Sequence, residues 1–78
     1  MAEKDLKIEK VKRVKERLEN KLSKVRDVVG IGVGKDENDD YCVKVYVREI
    51  TVNIKRKIPQ QVRGVPVEIV ESGEVKLL

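Results

Sequence analysis

VVGIGVGKDENDDYCVKVYV, residues 28–47, decides the architecture. Its opening run, Val28 to Gly34, alternates, so that an extended chain carries Val29, Ile31 and Val33 on one side and Gly30, Gly32 and Gly34 on the other. Its closing run keeps the same period, with Val43, Val45 and Val47 set against Cys42, Lys44, Tyr46 and Arg48. Between them Lys35 to Asp40 holds four acids and Asn38, the composition of a hairpin tip. The stretch reads as an antiparallel hairpin of strands 28–34 and 41–49 with one apolar face.

That face needs a cover, and the preceding residues supply it. Ile8, Val11, Val14, Leu18, Leu22 and Val25 recur at steps of three and four, which predicts an amphipathic helix over 5–24. Asp5 is placed to cap its start, and Glu3–Lys7 and Glu9–Arg13 have the order that favours i,i+4 pairing. After the hairpin, Ile58 and Pro59 open a short helix near 58–63 that Gly64 closes. Val65, Val67 and Ile69 mark a strand over 65–71, and Ser72–Gly73 turns the chain into a short strand over 74–77. More than a dozen residues separate Val47 from Val65, so the second and third strands are expected to run parallel across a crossover. The expected order sets the first strand between the second and third, with the fourth outermost. Residues 1–78 are thus read as one α+β domain: a two-layer sandwich with the long N-terminal helix packed on a small mixed sheet of three to four strands and a short helix in the crossover. Val14, Leu18 and Leu22 are expected to face Val29, Ile31, Val33, Val43, Val45, Val47, Val65, Val67 and Ile69.

Composition narrows the function. Of 78 residues, 40% are apolar and 41% charged, with no His and one Cys. A lone Cys42 forms no internal disulfide, so packing alone must hold the fold. Without His the commonest general base and transition-metal ligand are missing, and no catalytic, cofactor-binding or metal-binding residues are expected. The longest apolar or glycine run, Val28 to Gly34, is far short of the roughly 20 residues a membrane span needs, and no leader pattern opens the chain, which predicts a cytoplasmic protein. Charge well above the usual one quarter of residues matches the Lys/Glu enrichment of hyperthermophile proteins and predicts a heat-loving source.

Two motifs imitate ligand sites and fail on spacing. Gly30, Gly32 and Gly34 suggest a dinucleotide loop, but its third glycine falls on Lys35 and an acidic turn follows where a helix should start. Asp36, Asn38 and Asp40 begin a calcium loop whose turn glycine falls on Tyr41 and whose bidentate Glu falls on Val47. Cys42 has no His or second Cys near it in sequence and is read as inert.

Charge distribution is the remaining signal. The net +4 divides into +4 over residues 1–27, −2 over 28–50, +4 over 51–64 and −2 over 65–78. Lys55, Arg56, Lys57 and Arg63 stand in a segment free of acids, the footprint of a phosphate-binding end. A single Tyr46 beside Lys44 and Arg48 falls short of the stacked rings of a single-strand RNA reader.

The residues Val29–Gly34, Val43, Val45, Val47, Ile58, Pro59, Gly64–Val67 and Gly73 resemble a small uncharacterised α+β module that precedes the trypsin-like protease domain in some bacterial proteins. The resemblance spans roughly residues 25–75, on packing and turn positions. It implies a structural or interaction role, with no catalytic residue carried over and no protease activity.

The reading is therefore a non-enzymatic binding or assembly module, self-associating as a twofold dimer through an edge or through the sheet face that bears Gly30, Gly32, Tyr46 and Val70. The alternative is a nucleic-acid-binding protein using Lys55, Arg56, Lys57, Arg63 and the basic side of the first helix. Neither a small-molecule ligand nor a membrane is expected as partner.

Overall fold

The structure, a computed structural model, describes the backbone of residues 3–72 and the side chains of residues 7–72. A long helix, α1 (Glu3–Leu22), leads into a hairpin of β1 (Val28–Lys35) and β2 (Tyr41–Val47). A short helix, α2 (Val52–Lys57), then carries the chain to a second hairpin of β3 (Gln61–Val62) and β4 (Val65–Glu71). The sheet has the order β1-β2-β4-β3, antiparallel at both sides and parallel between β2 and β4. This is the expected α+β sandwich with a helix-bearing crossover. The segment 74–77, expected as a further strand, lies outside the described residues.

One core runs between the layers. Val11, Val14, Leu18 and Leu22 of α1 are buried against Val43, Val45 and Val47 of β2 and Val65 and Val67 of β4, with Ile54 and Ile58 of the crossover closing its side. The helix stripe arises because residues three and four apart stack on one face, and the strand set because alternate residues share a side. Ile31 and Ile69 are half-buried members of the same cluster.

Four expectations are corrected. The first concerns order: β2, not β1, is central, because the crossover leaving β2 returns β4 directly beside it, with Val43 opposite Val67 and Val45 opposite Ile69. β1 is left at the edge. Second, Val29 and Val33 are not core residues, being 47% and 40% exposed. The β1–β2 register shifts between Val28 and Gly30, so Val28 pairs with Val47 and packs on the core while Val29 is the extra residue of a bulge. Val33 keeps the core-facing parity, opposite Val43, but sits on the edge strand. Third, the short helix spans Val52–Lys57 and not 58–63. The Thr51 side chain accepts from the Ile54 N–H at 3.2 Å and starts the helix, while Pro59 disfavours helical backbone at Ile58, which adopts an extended ψ of 117° and ends it. Gly64 therefore caps no helix. It forms with Arg63 the two-residue loop between β3 and β4. Fourth, Glu9 and Arg13 are not within bridging distance, and among the described side chains of α1 the i,i+4 pair is Lys15–Glu19 at 3.1 Å. Glu3 lies outside the described side chains.

Candidate functional site

The sheet face away from the helices is single-layered among the described residues. Gly30 and Gly32 of β1 lie opposite Tyr46 and Lys44 of β2, and Tyr46 is opposite Val70 of β4, which places Gly30, Gly32, Tyr46 and Val70 together as expected. The glycines are not bare. A Cβ on Gly32 would stand 3.7 Å from the Tyr46 ring, and one on Gly34 would stand 2.8 Å from the Lys44 Cε, so side chains of β2 lie over the glycines of β1. Lys44 reaches on to Glu68 at 3.9 Å. Cys42 on this face is fully buried, and that burial, followed by the Glu68 charge, pushes its thiol above the ordinary cysteine range.

The outer edge of β1 is different. From Val28 to Gly34 it carries no charge, and among the described residues no strand pairs with its free side. Its exposed Val29 and Val33 sit on that edge. The bulge at Val28/Gly30 guards one end of the strand and Lys35 marks the other.

The acidic tip is a turn and not a cation site. The Asp36 carboxylate accepts from the N–H groups of Asn38 at 2.9 Å and Asp40 at 3.0 Å, and Asp39 takes a left-handed φ of 63° while meeting Lys35 at 3.4 Å. Among the described residues no group of three or more His, Cys, Asp or Glu side chains is arranged to hold a metal ion.

The four basic residues singled out in sequence separate. Lys55, Arg56 and Lys57 form the exposed last turn of α2. Arg63 instead lies in the β3–β4 loop, where both loop residues have positive φ, 51° at Arg63 and 81° at Gly64, as in a type I′ turn. Holding a side-chain-bearing residue there costs about 1–2 kcal/mol, which Asn or Gly would avoid. The turn sends Arg63 toward α1. There it lines a groove of about 520 Å³ with Glu9, Lys10, Arg13, Val14 and Arg17. Lys10 crosses toward the same turn, its Nζ 3.8 Å from where a Gly64 Cβ would stand. Among the described residues Lys10, Arg13, Arg17 and Arg63 enter no ion pair.

The basic side of the first helix was legible as a composition, but the residues that meet Arg63 were not. The signal was their spacing: Lys7, Lys10, Arg13, Arg17 and Lys21 follow one another at three, three, four and four residues, all exposed. No helix among the described residues is long and apolar enough to cross a membrane. No protein-family model, curated protein or solved structure matches the chain.

Proposed function

We propose that the chain is a non-enzymatic assembly module that self-associates as a twofold dimer by antiparallel pairing of β1 with β1 of a second copy. The observation that carries this reading is the uncharged free edge of β1 with Val29 and Val33 exposed along it. An edge strand presents a row of unpaired backbone N–H and C=O groups, and proteins that must stay monomeric blunt it with charge, Pro or cover. Here only one bulge and the terminal Lys35 do so. A twofold axis near Gly32 joins two four-stranded sheets into one of eight strands, satisfies those groups reciprocally and covers both valines. The sheet face of Gly30, Gly32, Tyr46 and Val70 is the weaker route, since Tyr46 and Lys44 already lie over its glycines within one chain. Composition supports placing the protein in the reducing cytoplasm of a heat-loving cell: one unpaired cysteine and 41% charged residues.

Sedimentation equilibrium at 5–50 µM tests the reading. The wild-type chain is expected to sediment as a dimer, the double variant Val29→Lys/Val33→Lys as a folded monomer, and Tyr46→Glu as a dimer. A monomeric wild type across that range ends the proposal. A dimer that survives the edge lysines and dissociates with Tyr46→Glu moves the interface to the sheet face.

A further inference from the structure

The groove between α1 and the β3–β4 turn does not enter that assembly, since it lies on the β4 side of the helix while β1 is at the opposite edge of the sheet. We propose that it is a sequence-neutral binding site for a nucleic-acid backbone, with Lys10, Arg13, Arg17 and Arg63 as the phosphate contacts.

Three observations converge on a linear polyanion. The first is the array. Lys7, Lys10, Arg13, Arg17 and Lys21 span fifteen residues of helix, about 21 Å from first to last at 1.5 Å per residue, with neighbouring cations about 4.5–6 Å apart along the axis. At about 100° per residue Lys10, Arg13, Arg17 and Lys21 all fall on one side of the buried stripe of Val11, Val14, Leu18 and Leu22, so they form one wall of a trough and not a scattered surface charge. The second is the facing wall. Arg63 is aimed across the trough by a left-handed φ of 51°, a conformation that the turn would hold more easily with Asn or Gly. The third is availability. None of the four cations lining the groove is engaged in an ion pair among the described residues, a state they share with the other described cations apart from Lys15, Lys35 and Lys44, so all four are available to a ligand.

One acid lies in the trough and one at its end. Glu9 lines the groove beside Arg13, and Asp40 lies in the adjoining hollow with Lys7 and Lys10, at the N-terminal end of the array. A strand is therefore held between Lys10 and Arg17 and turned away at the acidic tip. A concave trough with cations on both walls fits a rod of charge better than the plane of a membrane. The groove is lined by no aromatic ring, so it offers no stacking platform for a base, and the contacts proposed are to phosphates, which carry no sequence information. Lys55, Arg56 and Lys57, on α2, do not line it and are not contacts.

Fluorescence anisotropy with a labelled 20-nucleotide single strand and a labelled 20-base-pair duplex, each titrated between 20 and 200 mM salt, tests the site. Four phosphate contacts predict a slope of log K against log salt of about −3.6 on duplex and about −2.8 on the single strand. Affinity for duplex then falls on the order of 100-fold between 50 and 200 mM. Arg13→Gln and Arg17→Gln should each make the duplex slope shallower by about 0.9 while leaving the unfolding midpoint in place. Arg63→Asn should weaken binding by the same increment and raise the midpoint by several degrees, because Asn accepts the left-handed turn. A structural role alone predicts no such opposite movement. Lys55→Gln/Lys57→Gln should leave the slope unchanged. The proposal is overturned by absence of binding at 20 mM salt, by a slope that follows Lys55 and Lys57 but not Arg13, Arg17 and Arg63, or by equal affinity for poly-glutamate or for phosphatidylserine vesicles.

Discussion

Adding one methyl group to three glycines, two on the open face of the sheet and one in the β3–β4 turn, probes three different surroundings, and the structure ranks the outcomes. A Cβ on Gly32 would stand 3.7 Å from the Tyr46 ring, ordinary van der Waals contact, in an unstrained strand. Gly32→Ala then gains the entropy that glycine loses in a strand, about 0.5–1 kcal/mol. For a domain of this size that is a rise in unfolding midpoint of about 2–8 °C. On Gly34 the same methyl would meet Lys44 Cε at 2.8 Å and Cδ at 3.0 Å, the far part of a flexible side chain. Lys44 must swing away and give up Glu68 at 3.9 Å, a partly exposed pair worth at most about 1 kcal/mol. Gly34→Ala should therefore lie within about 0.5 kcal/mol of wild type, the gain and the loss being of one size. At Gly64 the φ of 81° makes any side chain unfavourable, and Gly64→Ala should lose about 1–2 kcal/mol. Urea unfolding followed by far-ultraviolet circular dichroism, at one fixed concentration for all four proteins, reads the ranking directly. A Gly32→Ala chain less stable than wild type would refute the reasoning, since it would mean that something besides Tyr46 occupies the space above β1.

Two further outcomes follow from single contacts. Because burial raises the Cys42 thiol, the folded chain keeps that proton to a higher pH than the unfolded chain; the stability it contributes is complete below the unfolded thiol value of about 9 and is lost as pH rises above it. The difference in unfolding midpoint between wild type and Cys42→Ala should accordingly shrink between pH 8 and pH 10, and a difference that grows contradicts the assigned burial. Thr51→Ala removes the acceptor for the Ile54 N–H and should cost about 1 kcal/mol, whereas Thr51→Ser or Thr51→Asp retains most of it; equal losses in all three, measured by thermal unfolding, would show that the cap is not the contact that matters.

The layers were legible because their periods are unambiguous: the three- and four-residue steps from Val11 to Leu22 admit only a helix, and Val43, Val45 and Val47 admit only a half-buried strand. What escaped was information held in two places at once. The bulge that frees Val29 shows only in the pairing of β1 with β2, since Val28 and Val29 are chemically identical and a run of alternating valine and glycine fits either register. The position of α2 was present in local chemistry, as Thr51 three residues before Ile54 and as Pro59 beyond the end, but Gly64 was equally valid as a helix stop or a hairpin loop. Only the partner strand decides between those two uses. The basic groove escaped for the same reason: Arg63 and Arg13 are fifty residues apart and meet through the crossover.

The central position of β2 also has a cost in time. The β1–β2 hairpin closes over a five-residue tip and can assemble early, but β4 reaches its place only after the chain has passed through α2 and β3. Until then Val43, Lys44, Val45, Tyr46 and Val47 present a second bare edge, destined for the middle of the sheet. Nascent or refolding chains are thus open to capture by one another through the strand that the finished fold hides best. Yield on refolding should fall with chain concentration even under conditions where the folded protein stays in solution, and the culprit segment is the one least accessible once folding is complete.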